Sequence, residues 1–220
     1  GFFSYMKLDT TLYLVTDSTG MEEEAFLQTV RAALKGGVTL LQLREKERSA
    51  REYLALAEKV LPLAHEYGVP LLIDDRIDVA IAAGADGVHV GQNDIPVSDA
   101  RRMLRKGKIV GATAKTPEQA IGAFRQGADY IGAGAVYQTG TKTDTWCIPT
   151  ETIRRIACAV PIPVNAIGGL NRGNLGILSD TGIAGVCVVS ALMKAENPEL
   201  EAKAIKEAFL ALSGRKESSL

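Results

Sequence analysis

Aromatic residues, cysteine and histidine are scarce in this chain, and each shortage removes a class of function. Phe, Trp and Tyr make up 5% of 220 residues, too few for the stacked platforms on which proteins hold single-stranded nucleic acid. Net charge is −1 at pH 7. No global basic field therefore favours nucleic acid or an anionic membrane, and any anion site must be local. The three cysteines, Cys147, Cys158 and Cys187, are too scattered for a disulfide framework or a Cys-x-x-Cys metal site. That usage leads us to expect a reducing, cytoplasmic setting. No apolar run approaches the roughly 20 residues that span a bilayer. Gly1 to Tyr5 lack the charged and apolar regions of a secretory signal, and Met6 reads as the natural start.

What is present is 46% hydrophobic and 23% charged residues, a balance that suits one soluble globular domain with a sizeable core. Residues 1–11 read as an N-terminal extension, 12–213 as the domain and 214–220 as a polar tail. Short apolar, β-branched runs predict strands over 12–16, 38–41, 70–73, 87–90, 108–113, 129–134, 163–167 and 184–189. Between them, capping and periodicity signals predict helices over 22–35, 49–67, 79–83, from 96 onward, 117–126, 148–160, near 174–180 and about 198–212. Ser49 with Glu52 forms a capping-box pair, and Pro117 stands at a first helical position. A glycine closing a helix just before a strand recurs at Gly36-Gly37, Gly84, Gly127 and Gly182. Eight strand-then-helix units of about 25 residues predict a single-domain (β/α)8 TIM barrel, with an open doubly wound sheet as the alternative.

In such a barrel the loops after the strands form the active face, and the chemically distinctive residues fall there. After the second strand come Gln42, Arg44 and Lys46, which share one face of an extended chain. Three donors, two of them cationic, make an anion-binding edge. The competing reading pairs Arg44 and Lys46 with their charged neighbours on a solvated loop. Asp74 and Asp75 follow the third strand and Gln92 and Asp94 the fourth. Asp75 and Asp94, at adjacent strand ends, are candidates to hold Mg²⁺ with phosphate and water; each could instead cap the helix that follows. Asp74 is ambiguous between these roles.

Thr113 and Lys115 end the fifth strand, and a hydroxyl-rich loop with Thr139, Thr141 and Lys142 follows the sixth. That composition can close over a pyrophosphate. Gly168-Gly169 after the seventh strand and Val189-Ser190 after the eighth stand where barrels often bind phosphate through backbone N–H groups. Two anion subsites emerge. His89 reads as a satisfied core histidine rather than a catalytic base. His65 reads as surface, and neither Cys147 nor Cys187 has the neighbours of an activated nucleophile.

In combination and in order, Gln42-Leu43-Arg44-Glu45-Lys46, Asp74-Asp75-Arg76, Gly84-Ala85-Asp86-Gly87-Val88-His89-Val90-Gly91-Gln92, Thr139-Gly140-Thr141-Lys142 and Ala166-Ile167-Gly168-Gly169 closely resemble the thiamine-phosphate synthases. The resemblance runs over about residues 12–193. It implies a (β/α)8 enzyme that joins 4-amino-5-hydroxymethyl-2-methylpyrimidine diphosphate to 4-methyl-5-(2-phosphoethyl)thiazole, giving thiamine phosphate and pyrophosphate. Position by position, it makes Gln42 a pyrimidine and diphosphate contact, and Arg44, Lys46 and Lys142 diphosphate ligands with a catalytic part. Asp75 and Asp94 become Mg²⁺ ligands, Thr139 and Thr141 phosphate contacts, and Asp74 and Thr113 further substrate contacts. Gly168, Val189 and Ser190 take the thiazole phosphate through backbone N–H groups.

The chain departs from that pattern at Asp74, where the family usually has Asn, at Thr113, usually Ser, and at Lys115, commonly His. The segment Trp146-Cys147-Ile148 is also atypical. The implied partners are small molecules, with no nucleic acid and no membrane; a homo-oligomer is compatible with the sequence. Two rivals remain: a thiazole tautomerase on the same barrel, and a non-catalytic thiamine-phosphate binding protein.

Overall fold

The computed structural model describes residues 7–138 and 146–214. Eight parallel strands close into a barrel in chain order. They are β1 Leu12–Val15, β2 Leu40–Leu43, β3 Leu71–Asp74, β4 Gly87–Val90, β5 Ile109–Ala114, β6 Tyr130–Gly134, β7 Val164–Ile167 and β8 Gly185–Val188. The closing pair is β1 with β8, in register Tyr13 to Cys187. That pairing rules out the open doubly wound alternative, in which two strands would keep free edges.

Around the barrel lie α1 Glu23–Lys35, α2 Ala50–Glu66, α3 Ile77–Ala83, α4 Val97–Met103, α5 Pro117–Arg125, α6 Thr150–Ala159, α7 Ser190–Met193 and α8 Pro198–Leu212. The Ser49–Glu52 capping box at α2 forms in full: Ser49 N–H donates to Glu52 Oε2 at 2.8 Å, and Glu52 N–H to Ser49 Oγ at 3.3 Å. Two local expectations are corrected. The helix expected near 174–180 is a single 3-10 turn, Leu175–Leu178; Gly173 and Gly176 make a longer helix entropically expensive there. The four-residue α7 went unread because one turn is too short to show periodicity.

Strand alternation divides the core into two clusters. One, between strands and helices, takes Leu12, Leu14, Leu41, Leu43, Ile73 and Val88 among many others. The second fills the barrel's interior with Tyr13, Val15, Leu40, Leu72, Ile109, Tyr130 and Cys187. Tyr130 fits only because β5 carries Gly111 beside it: a Cβ at 111 would stand 2.1 Å from the Tyr130 ring carbon Cζ. Among the described residues no helix is long and apolar enough to cross a membrane.

Gly111→Ala is therefore expected to lower stability by about 1–3 kcal/mol through overpacking, read as a lower denaturant midpoint. A second variant, Gly111→Ala with Tyr130→Ala, removes the clash and should recover part of the loss; a simple sum of the two single losses would show that the ring does not lie over Gly111.

Candidate active site

The site is assembled at the C-terminal rim, where each strand hands over to a polar loop. On the β2 side, Glu45 pairs with neither Arg44 nor Lys46. Its Oε2 accepts from Ser18 Oγ at 3.0 Å and from Arg48 Nε at 3.1 Å, tying this loop to the one after β1. Arg44 is anchored by its backbone N–H, which donates to Thr16 Oγ1 at 3.2 Å. Freed from Glu45, Arg44 and Lys46 face β3 instead. Lys46 Nζ lies 2.8 Å from Asp74 Oδ2 and also contacts the Asp75 carboxylate, and Arg44 Nε lies 3.8 Å from Asp74 Oδ2. The competing reading, in which these two cations pair within their own loop, is overturned.

Asp74 ends β3 and is buried, with 8% of its surface exposed. Asp75 has φ of 59°, left-handed for a residue with a side chain, a conformation that Asp tolerates better than most and that clusters at functional turns. Its N–H donates to His89 O at 3.0 Å, which fastens the turn to β4. Its carboxyl is hydrogen-bonded to that of Asp94. Asp94 Oδ2 in turn accepts from Gly91 N–H at 2.6 Å. Neither carboxylate caps a helix: α3 has Arg76 and α4 has Pro96 at the N-cap, both without a side-chain cap bond. The capping alternative for Asp75 and Asp94 is thus corrected.

The electrostatics follow from crowding. Burial, then the charge of Asp75, pushes Asp74 up to about 6 despite Lys46 and Arg44. Burial also raises Asp94, and its shared bond with Asp75 raises it further. For Asp75 burial acts upward but is outweighed by the hydrogen bonds from Asp94 and Lys46, so it lies below the usual carboxylate range. Lys46 loses by burial and gains more from Asp74 and Asp75, so it is held firmly as a cation. One carboxyl lowered and its neighbour raised is the split expected of two close carboxyls that titrate as a pair. Such a pair also fits a hard divalent cation. Among the described residues no group of three His, Cys, Asp or Glu is placed to hold a metal, so a cation bound there would draw its other ligands from substrate and water.

On the far side, Gly168 and Gly169 follow β7 with φ of 112° and 63°. A Cβ at 168 would meet Ala135 Cβ at 2.6 Å, so close packing as well as backbone conformation demands glycine. Val189 and Ser190 lead from β8 into α7. Among the described residues the N–H groups of Gly168, Gly169, Val189 and Ser190 have no backbone or side-chain acceptor. Such N–H groups at two adjacent strand ends can offer uncharged donors to an anion.

Gln42 departs from the simple rim picture. It is 4% exposed, and its Nε2 donates into the barrel to Tyr13 Oη. Thr113 also points inward, its Oγ1 2.9 Å from His89 Nε2, while its carbonyl accepts from Gln92 Nε2 at 2.6 Å. Lys115 N–H donates to Gln119 Oε1 at 2.8 Å. Thr139, Thr141 and Lys142 lie outside the described residues.

Sequence reading passed over Tyr13 and Tyr130. Their hydroxyls lie 2.6 Å apart, and Tyr130 Oη is 2.7 Å from His89 Nδ1, so His89 has both ring nitrogens bonded inside the barrel. Burial pushes both phenols well above their ordinary range, so they stay protonated. A phenol at an inward strand position was the available signal, but nothing in the chain says which two strands would meet.

Residues 12–192 match the sequence profile of the family described as thiamine monophosphate synthase. The thiamine-phosphate synthase of Methanobrevibacter smithii is 47% identical over 204 residues, covering 93% of this chain and 97% of that protein. That of Desulfitobacterium hafniense is 46% identical over 201 residues, with 91% and 97% covered. Among solved structures, a thiamine phosphate pyrophosphorylase from Pyrococcus furiosus superposes with a TM-score of 0.85 at 36% identity, covering 94% of this chain and 98% of that one. A 3-hexulose-6-phosphate synthase, at 19% identity and a TM-score of 0.70, shares the fold alone. A closed eight-stranded barrel, a rim that joins cations to a carboxylate pair, and identity sustained over nearly the whole length lead to one conclusion: the chain belongs to the thiamine-phosphate synthase family.

Proposed function

We propose that the protein condenses 4-amino-5-hydroxymethyl-2-methylpyrimidine diphosphate with 4-methyl-5-(2-phosphoethyl)thiazole, releasing pyrophosphate and forming thiamine phosphate, with Mg²⁺ at Asp75 and Asp94. The observation that carries this reading is the convergence of Arg44, Lys46, Asp74, Asp75 and Asp94 at one rim. Three carboxyls stand there against two cations. Alone, that set is a poor host for a diphosphate. A divalent cation held by Asp75 and Asp94 would reverse the balance and supply charge stabilisation for the departing oxygen.

Arg44 and Lys46, joined by Lys142 from outside the described residues, bind the diphosphate and hold the charge that grows as the carbon–oxygen bond breaks. The bonding pair leaves on oxygen. The aminopyrimidine ring delocalises the positive charge left on the methylene carbon, and the thiazole nitrogen donates its lone pair to form the new carbon–nitrogen bond. No protein nucleophile is needed. In this reading Gln42 and Thr113 contact the pyrimidine part, Thr139 and Thr141 contact phosphate, and the N–H groups of Gly168, Val189 and Ser190 hold the thiazole phosphate so that its nitrogen faces the methylene. The free thiols, exposed at Cys147 and Cys158, accord with a reducing cytoplasm.

Incubation of the protein with both phosphorylated substrates and Mg²⁺ is expected to yield equal amounts of pyrophosphate and thiamine phosphate. Binding of thiamine phosphate without turnover would favour the sensor, and rearrangement of the thiazole alone would favour the tautomerase. Asp94→Asn keeps an oxygen for Gly91 N–H but loses the charge; turnover should fall about 10²–10³-fold with a nearly unchanged melting temperature. A large loss of stability at normal rate would make Asp94 a turn-stabilising residue instead.

Asp74 gives a prediction with a defined pH dependence. Its folded pKa, about 6, lies above the unfolded value of 3.8, so the folded state binds the proton more tightly. The buried carboxylate therefore costs stability above about pH 6, and that cost fades as pH falls toward 4. Asp74→Asn, measured by chemical denaturation in EDTA, should be more stable than the parent by on the order of 1–3 kcal/mol at pH 7.5. The gap should close near pH 4; a gap independent of pH would show that Asp74 is not held in this way.

A further inference from the structure

One polar chain inside the barrel is not explained by the charges at the rim. Gln42 Nε2 donates to Tyr13 Oη, Tyr13 Oη lies 2.6 Å from Tyr130 Oη, Tyr130 Oη lies 2.7 Å from His89 Nδ1, and His89 Nε2 lies 2.9 Å from Thr113 Oγ1. Five side chains from β2, β1, β6, β4 and β5 are linked end to end. Both phenols are almost wholly buried, at 2% for Tyr13 and 0% for Tyr130. Their rings meet edge to face with centroids 5.5 Å apart, and the His89 ring lies 5.6 Å from that of Tyr130.

The proton count of such a chain gives it a direction. An amide nitrogen only donates, and a phenol has one hydrogen to give. With Tyr13 accepting from Gln42, its own O–H must go to Tyr130, because a buried hydroxyl left unpaired is costly. The Tyr130 O–H then goes to His89 Nδ1, and the imidazole proton sits on Nε2, directed at Thr113 Oγ1. The Thr113 hydroxyl is left with its hydrogen to offer. At the other end Gln42 is left with its amide oxygen as an acceptor. We propose that Tyr130 is a positioning residue: by joining Tyr13 to His89 it locks the Gln42 amide as an acceptor and the Thr113 hydroxyl as a donor, so that the pyrimidine substrate is recognised in a single orientation.

This rests on the reading that Gln42 and Thr113 face the aminopyrimidine. An amino group that donates and a ring nitrogen that accepts match an acceptor at one end of the chain and a donor at the other. Tyr130 itself, sealed beneath the site and packed over Gly111, touches neither substrate.

Tyr130→Phe removes one oxygen and keeps the ring. The KM for the pyrimidine diphosphate is expected to rise about tenfold, the equivalent of one hydrogen bond's net contribution. The KM for the thiazole phosphate should change less than about twofold on the same basis, because its cradle lies on β7 and β8. A purely structural role would weaken both substrates alike or lower the melting temperature with no change in the ratio of the two KM values, and either result overturns the proposal. Tyr13→Phe is the second variant should Tyr130→Phe not fold, with the same expectation.

The tautomer is read independently by ¹⁵N NMR of the imidazoles at pH 7.5 in the parent protein. The chain has only two histidines, and His65→Gln assigns them. His89 is expected to carry its proton on Nε2; a proton on Nδ1, or on both nitrogens, overturns the assigned direction. If the parent makes no thiamine phosphate, the functional reading fails, and the tautomer still decides the direction of the chain.

Discussion

A buried carboxylate must be paired, protonated or bound to metal, and this constraint organises the rim of the barrel. Asp74, Asp75 and Asp94 arrive from adjacent strand ends into a space where water is partly excluded. Taken alone they would repel one another and lift the local pKa values, as Asp74 and Asp94 already do. Lys46 reaches between Asp74 and Asp75, and Arg44 stands behind it. The cations stop one carboxyl short of neutrality, which leaves negative charge on the Asp75–Asp94 pair to be offset. A site poised this way gains from a divalent cation and an anionic ligand together far more than from either alone.

That poise depends on how the barrel is filled below it. An interior packed only with aliphatic side chains would leave the rim no polar support. Here Leu40, Leu72 and Ile109 line the interior together with the phenols of Tyr13 and Tyr130. Gly111 is the concession that lets the Tyr130 ring cross to β4 and reach His89. On β2 and β3 the inward positions run from apolar to polar, Leu40 to Gln42 and Leu72 to Asp74, so that polarity rises toward the open end there. The same two-residue period that builds the core delivers the chemistry.

This period is also why so much could be read from sequence. That Gln42, Arg44 and Lys46 cluster at one strand end is legible locally, although β2 stops at Leu43 and the shared extended face does not reach Lys46; the adjacency of Asp75 and Asp94 follows once the strands are counted. What stayed hidden were choices between partners of equal chemical merit. Arg44 and Lys46 could pair with Glu45 or with Asp74; the structure decides, because Ser18 and Arg48 engage Glu45 first. The Gln42 amide could point outward or inward, and it turns inward because Tyr13 waits on the neighbouring strand. Tyr13 and Tyr130 are 117 positions apart, and their contact is a property of closure that no local pattern encodes. The 3-10 turn at Leu175–Leu178 differs from the expected helix for the opposite reason: it is a local matter of the glycines at 173 and 176.

The two proposed anion subsites differ in kind, and the proposed reaction gives the difference a physical sense. A phosphate that keeps its charge from binding to release needs only steady dipoles, and the backbone N–H groups proposed to hold it, at Gly168, Val189 and Ser190, are uncharged. A diphosphate that becomes a free leaving group gains negative charge on the bridging oxygen as the bond lengthens. Full positive charges respond to that change more strongly than dipoles, which is how binding becomes tighter in the transition state than in the ground state. Placing cations and a metal-competent carboxylate pair on one side, and neutral N–H groups on the other, concentrates electrostatic work where charge develops and leaves the second substrate held without bias along the reaction coordinate.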